Sequence, residues 1–363
     1  MQDNPYMNPR KLQLTLSKTV EDYTRPYIIA EIGSNHNGDM ALAKTMIDSA
    51  VSCGCDAVKF QSWTPQSLIA REEYDRNIRY DDNPRKHWGS LREMVEKYYL
   101  REDQHAELKR YCDDAGIDFC STPFSEAEVD LLEKLGAPYH KIASMDVNNL
   151  RLLRYVASMG KPVLLSTGMA TLGEIENAIK EITAAGNNQI VLLHCISVYP
   201  PEYEDIHLNN ILMLRNTFGY PVGFSDHSIG YSIPLAAVAL GVCLIEKHFT
   251  IDKNMEGWDH EISADPDEMS VIVKESAHVS KALGSHTRTV SDAEQQKIAK
   301  LRRSIVAAQS MEKGHVIRDE DIAFKRPGTG IAPDRASLVV GRKLSRSVGA
   351  DELLGWDDLD SAL

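Results

Sequence analysis

The sequence predicts a (β/α)8 barrel followed by a small, mainly β module, and three observations carry that prediction. A short apolar strand, a loop with polar residues and an amphipathic helix recur about eight times over roughly 255 residues. Polar and charged residues gather at the C-terminal ends of the strands, where a barrel places its active site, while the N-terminal ends are apolar or turn-like. Beyond residue 303 the pattern changes to short alternating runs broken by Gly and Pro. An open doubly wound sheet is the competing architecture, because periodicity does not report closure.

The strands are expected at 27–33 (YIIAEIG), 57–61 (AVKFQ), 117–123 (IDFCSTP), 139–144 (YHKIAS), 162–168 (PVLLSTG), 190–195 (IVLLHC), 221–226 (PVGFSD) and 242–249 (VCLIEKHF). Helices follow most of them, as in DMALAKTMIDSAVSCG and TLGEIENAIKEITAAG. There the apolar residues recur at three- and four-residue steps and a Gly closes the segment. Residues 1–26 read as an N-terminal arm, 27–285 as the barrel, 286–303 as a polar, basic linker or bridging helix, and 304–363 as the β module. The loop at 62–99 is long for a βα connection, which marks it as a carrier of substrate contacts.

With 43% hydrophobic and 26% charged residues the 363-residue chain is an ordinary globular protein. Its formal net charge of −13 argues against a nucleic-acid partner, so any anionic ligand must be held by a local cluster of cations and amides. No apolar run approaches the ~20 residues of a membrane span. The first residues, MQDNPYMNPRKLQLTLSK, carry no apolar signal core. Six cysteines without regular spacing read as reduced thiols, and a cytoplasmic location is expected.

Two chemistries emerge from the strand ends. Lys59 and Lys141 share the expected active face with Thr122, Ser144 and the Ser166-Thr167-Gly168 turn. Each lysine alone reads equally well as a solvated strand end; together with the hydroxyls they suit a phosphate that also bears a carboxylate. The 166–168 turn precedes a helix start, which would receive the phosphate. The second chemistry concerns His227 in GFSDHSIG and His248 in EKHF, 21 positions apart at successive strand ends. A lone strand-end histidine is ordinarily a satisfied polar residue. Two on adjacent strands can share one ion whose shell is completed by substrate oxygens and water, which suits Mn²⁺ or Mg²⁺ better than structural Zn²⁺.

The motifs AEIGSNHNGD, DAVKFQ, STPF, KIAS, LSTGMATLGEIE, GFSDHSIG, EKHFTIDK, DHEIS and KRPGTGI together resemble the sialic acid synthase family, in its order and spacing, from about residue 27 to 348. The resemblance implies a TIM barrel with a C-terminal antifreeze-like (SAF) domain. It implies condensation of phosphoenolpyruvate with an open-chain 2-acylamino sugar aldehyde, giving a nine-carbon 2-keto acid and phosphate. It also implies a divalent ion (Mn²⁺ first, Mg²⁺ or Co²⁺ next) and a homodimer in which one chain's small domain covers the partner's barrel. His227 and His248 match the family's metal ligands. Lys59, Thr122, Lys141, Ser144, Ser166 and Ser225 match its phosphoenolpyruvate contacts, with Ser197 standing where several members have Asn. Glu31 and Asp146 are the acids expected to handle protons; Gln61, Tyr199 and Asp259 match the sugar side. Arg326 matches an arginine that reaches into the neighbouring barrel.

Two rivals remain at this stage. Another phosphoenolpyruvate-dependent ulosonate synthase would make a seven- or eight-carbon product from a phosphorylated sugar, and would not carry the KRPGTG module. A non-catalytic glycan-binding barrel would have lost polar strand ends that are all present here. The acceptor stays open among N-acetylmannosamine, 2,4-diacetamido-trideoxyhexoses and their phosphates.

Overall fold

The computed structural model describes residues 10–78, 89–285 and 287–360. They divide into two compact units, Met1–Gly284 and Ser285–Leu363. The first opens with a hairpin, β1 (Lys11–Gln13) and β2 (Thr19–Glu21), paired antiparallel. Eight strands follow: β3 (Tyr27–Gly33), β4 (Ala57–Ser62), β5 (Asp118–Pro123), β6 (His140–Ile142), β7 (Val163–Ser166), β8 (Ile190–Cys195), β9 (Val222–Asp226) and β10 (Leu244–His248). Helix α1 (Met40–Cys53) follows β3, and α2 (Pro65–Leu68), α3 (Arg71–Arg76), α4 (Leu91–Tyr98) and α5 (Glu102–Ala115) follow β4. Then one helix follows each strand: α6 (Glu126–Leu135), α7 (Leu150–Ser158), α8 (Leu172–Ala184), α9 (Asn210–Phe218), α10 (Ser232–Ala239) and α11 (Pro266–Leu283).

All neighbouring barrel strands pair in parallel, in the order β5-β4-β3-β10-β9-β8-β7-β6. The two ends of this sheet, β5 and β6, lie side by side without a hydrogen-bonded ladder among the described residues. The barrel is therefore nearly closed, and the open doubly wound alternative is excluded. The expected strand at 139–144 is shorter than predicted, because Ser144–Asp146 turn into a 3₁₀ helix. The long 62–99 loop holds α2 to α4; its residues 79–88 lie outside the described residues. No helix among the described residues is long and apolar enough to cross a membrane. The six cysteines are free thiols.

Strand alternation makes two cores. Ile28, Ala30, Val58, Phe60, Ile245 and their equivalents face outward and pack beneath the helices. Inward, Tyr27, Ile29, Ala57, Cys120, Tyr139, Leu164, Val191, Leu193 and Leu244 fill the N-terminal half of the barrel, and Leu14 and Val20 of the hairpin join them. Gly223 is required there: a Cβ would come within 2.6 Å of Leu193 Cδ2 and 2.9 Å of the Leu244 carbonyl. With its lower half packed solid, the barrel is left with polar inward positions only at the C-terminal end.

The second unit carries α12 (Asp292–Leu301) where a linker or bridging helix is predicted. It continues with the antiparallel pair β11 (Ser304–Ala307) and β12 (Ile322–Lys325), then α13 (Ala336–Val339). Ile305, Met311, Ile317, Ile331, Leu344 and Leu354 form a core of its own.

Candidate active site

The inward positions at the barrel's C-terminal end enclose a cavity of about 250 Å³. Its floor is an array of charges. Lys59 Nζ lies 2.8 Å from Glu31 Oε2 and donates to Thr122 Oγ1 at 3.0 Å. Lys141 Nζ donates to Glu246 Oε1 at 3.2 Å, and Ser225 Oγ donates to the same oxygen at 2.9 Å. Glu246 Oε2 is 3.8 Å from Lys59 Nζ, so this carboxylate ties the two lysines together. Gln61 Nε2 donates to Glu31 Oε1 at 2.9 Å.

The two carboxylates are pushed apart in acidity. Burial raises Glu31 to about 7, against the opposing pull of Lys59, with Glu246 adding to the rise. Burial also acts on Glu246, but Lys141 and Lys59 together outweigh it and hold this acid down at about 2. The pair thus contains one firm anion and one group poised to carry a proton near neutrality. With Glu31 protonated, two lysines face one carboxylate, and the floor attracts anions.

Beside the lysines lies a cradle of hydroxyls. Gly168 N donates to Ser144 Oγ at 3.1 Å, and the buried Ser166 Oγ has no hydrogen-bond partner among the described residues. A Cβ at Gly168 would sit 2.4 Å from Ser197 Oγ and 2.7 Å from Ser144 Oγ, so glycine is what lets the backbone amide approach. The helix start lies a few residues beyond the Ser166-Thr167-Gly168 turn. Helix α8 begins only at Leu172, and Thr171 with Glu174 forms a capping box in which Thr171 N donates to the Glu174 carboxylate and Glu174 N donates to Thr171 Oγ1.

His227, just past the end of β9, and His248, the last residue of β10, have ring centroids 5.4 Å apart. Tyr199 stacks on His227 at 4.0 Å and meets His248 edge-on at 5.9 Å. His227 Nδ1 donates to the Ile196 carbonyl at 2.7 Å, which leaves the lone pair on Nε2. Burial and the neighbouring cations His227, Lys59, Lys247 and Lys141 keep His248 well below the usual imidazole range, in the neutral form a metal needs. Burial pulls His227 down as well, but Cys195 beside it reverses the direction and raises it. Cys195 is correspondingly lowered by His227 despite burial.

These residues fit a labile divalent ion with an open shell. His248 Nδ1 is buried without a hydrogen-bond partner among the described residues, and its imidazole is held neutral. No group of three or more His, Cys, Asp or Glu side chains is placed to hold a metal among the described residues.

Twelve of the sequence-predicted site residues line this one cavity: Glu31, Lys59, Gln61, Thr122, Lys141, Ser144, Ser166, Ser197, Tyr199, Ser225, His227 and His248. Asp146 does not; it lies in the 3₁₀ turn, accepts from Asn149 Nδ2 at 3.0 Å, and is raised by burial. Asp259 is outside the lining but near it, with Oδ2 3.8 Å from His248 Nδ1. Arg326 is exposed at the end of β12 in the second unit. Sequence reading counted Glu246, the centre of the charge array, among the polar strand ends but gave it no role, and it left out the apolar Phe124, Met145 and Met169 at the rim. Glu246 precedes His248 by two positions, so strand alternation alone would have placed both on one face.

A nearly closed parallel barrel with a lysine-carboxylate floor and two strand-end imidazoles suits an anionic substrate, and the relatives of this chain are enzymes of the sialic acid synthase type. The chain belongs to the NeuB family, whose model matches residues 46–288; a SAF domain matches residues 302–360. It is 39% identical to the N,N'-diacetyllegionaminic acid synthase of Legionella pneumophila, over 92% of this chain and 95% of that protein. It is 43% identical to the uncharacterized protein MJ1065 of Methanocaldococcus jannaschii, over 92% and 94%. Among solved structures, the N-acetylneuraminic acid synthetase of Leptospira borgpetersenii superposes with a TM-score of 0.71 at 33% identity, over 80% of this chain and 96% of that one.

Proposed function

We propose that this chain condenses phosphoenolpyruvate with the open-chain aldehyde of an N-acylamino hexose, giving a nine-carbon 2-keto sugar acid and phosphate. The observation that carries the reading is the single array in which Glu246 holds Lys59, Lys141 and Ser225 around one side of a cavity and the two imidazoles stand on the other. The lysines and the Ser144, Ser166 and Gly168 cradle bind the phosphate and carboxylate of phosphoenolpyruvate, fixing its C3 toward the aldehyde. A divalent ion held by His227 and His248, Mn²⁺ by preference and Mg²⁺ or Co²⁺ otherwise, would supply Lewis acidity to a carbonyl oxygen. C3 attacks the aldehyde carbon, and positive charge develops at C2. Water adds there while Glu31, steadied by Gln61 and Lys59, takes one of its protons and returns it to the alkoxide formed from the aldehyde; the second leaves with the phosphate as the C2 carbonyl forms. C–O cleavage then releases phosphate, and the lysines hold the anionic charge through both steps. No nucleophilic side chain is needed, and Cys195 and Cys120 are assigned none.

The acceptor is an uncharged acylamino hexose, N-acetylmannosamine or a 2,4-diacetamido-trideoxyhexose. Gln61, Tyr199 and Asp259 lie on its side of the site. Exposed Met145, Met169, Val198, Tyr199, Ile229 and Tyr231, all on loops leaving β6 to β9, supply apolar surface around the mouth that supports a covering partner. That partner is the SAF domain of a second copy, which brings Arg326 to the acceptor. The free thiols fit a reducing cytoplasm.

The direct test incubates the protein with phosphoenolpyruvate, Mn²⁺ and each of a small panel of acylamino hexoses, following phosphate release and the mass of the product. A nine-carbon keto acid from one of them is the expected result. Phosphate release with none of them, or only with a phosphorylated pentose or tetrose, would overturn the reading.

A further inference from the structure

Beyond His248 the chain leaves the barrel and returns at Ala264. Ala264 N donates to the His248 carbonyl at 2.7 Å and Thr250 N donates to the Ala264 carbonyl at 3.0 Å, so both ends of the excursion are tied at His248 itself. Between these ends lies neither helix nor strand, yet Asp259 sits there with its carboxylate 3.8 Å from His248 Nδ1. A side chain on irregular backbone needs a support to hold it within the fraction of an ångström that a site requires.

That support is the next residue. The ring of His260, 1% exposed, stands 2.6 Å by Nδ1 from Thr250 Oγ1 and 3.3 Å by Nε2 from Asn37 Oδ1. Asn37 Nδ2 already donates to the Glu256 carbonyl at 2.8 Å, so Asn37 Oδ1 is the acceptor and His260 Nε2 carries the hydrogen. The segment is packed hard on this ring: a Cβ at Gly257 would lie 2.1 Å from His260 Cδ2. On the far side of Asp259, Ser263 donates to its carbonyl through N at 3.1 Å and Oγ at 2.6 Å. Asn35 Nδ2 in turn donates to Ser263 Oγ and to the Phe249 carbonyl, each at 2.9 Å. The loop after β3 therefore clamps the loop after β10 at two points flanking Asp259.

We propose that His260 is a positioning residue for the condensation, setting the place of the Asp259 carboxylate at the acceptor end of the cavity with Asn35 and Asn37 as its anchors. The inference rests on the assignment of Asp259 to the acceptor side made above. It is tested by a double-mutant cycle of His260→Ala and Asp259→Asn, assayed well below the melting temperature of each variant. His260→Ala raises KM for the acceptor about tenfold and leaves KM for phosphoenolpyruvate within about twofold. In the Asp259→Asn background the same change costs less than about twofold, because its target is already gone. His260→Gln, which keeps a donor for Asn37, recovers most of the loss. Equal losses in both backgrounds, or parallel rises in KM for both substrates, overturn the positioning role and leave His260 as a packing residue. An Asp259→Asn chain with unchanged acceptor KM overturns the assignment of Asp259 itself, and the proposal with it.

Discussion

Lys247 Nζ donates to Asp226 Oδ2 at 2.7 Å, and the two side chains, 0% and 1% exposed, are fully withdrawn from water. They are direct partners in the register of β9 and β10. Because strand neighbours point to opposite faces, Ser225, His227, Glu246 and His248 look into the cavity while Asp226 and Lys247 bind each other behind it. The acid and the lysine beside the two histidines are thus the lock that aligns the strands carrying them. Lys247 also donates to the Ser228 carbonyl, which fastens the turn just past His227.

Breaking this pair from one side leaves a buried, uncompensated charge. Lys247→Met should lower stability by about 3–5 kcal/mol in urea unfolding, and adding Asp226→Asn should restore part of that loss. A single substitution costing under about 1 kcal/mol would show that water reaches the pair.

The barrel was legible because strand and helix periods differ and because the polar residues crowd one end of each strand. The face each strand-end residue takes was not read, although SDHS and EKHF contain it: alternation puts Glu246 with His248 and Lys247 with Asp226. Distant contacts were beyond a linear reading. Trp63, Tyr98 and Trp258 meet one another or Phe124 in tilted and edge-on pairs with ring centroids 5.5–6.3 Å apart, so the long loop after β4 and the loop after β10 share one aromatic cluster beside the cavity. Capping also decided a detail that motif spacing could not, since Glu174 reaches back to Thr171 N and fixes where α8 starts.

Chelator-treated protein should lose phosphate release and regain it with Mn²⁺, Co²⁺ or Mg²⁺. Ligation needs a neutral imidazole, and the stronger hold of His227 on its proton, caused by Cys195 beside it, makes protons compete with the ion there. Metal affinity, measured by equilibrium dialysis, should therefore weaken as pH falls through the histidine range. Full activity in excess chelator contradicts the ion's role.

Lys59→Ala and Lys141→Ala should each remove about 2–4 kcal/mol of transition-state stabilisation, read as kcat/KM for phosphoenolpyruvate. Their acceptor KM values should change little. A lysine whose loss leaves that ratio intact is not a substrate contact.

Glu31 gives the pH dependence its sign. Its carboxyl takes a proton at about 7 rather than in the usual range, so as a base it is active above that pH and silent below. With saturating Mn²⁺, kcat/KM should fall about tenfold per unit below pH 7. The residual rate of Glu31→Gln should lack this limb. Stability follows the opposite course: the folded state binds this proton more tightly, so ionising Glu31 costs stability as pH rises from 4.5 to about 7. Glu246, held at about 2, contributes stability that is lost only as pH falls below 4.5. A limb that survives in Glu31→Gln assigns the proton transfer to another group.

Arg326 tests the covering of one chain by another. It is exposed at the end of β12, in a unit with its own core. If the unit serves the second copy, an inactive Arg326→Ala chain and an inactive His227→Ala chain should complement each other. Mixed dimers then hold one complete site, built from the intact barrel of the first chain and the intact arginine of the second. Random re-pairing makes about half the dimers mixed, each with one working site of two, so activity should return to about a quarter of the unmutated level. Subunit exchange is verified by mass labelling, and the His227→Ala barrel is checked by circular dichroism. With exchange complete and both chains folded, a mixture that stays inactive means the arginine serves its own barrel or none.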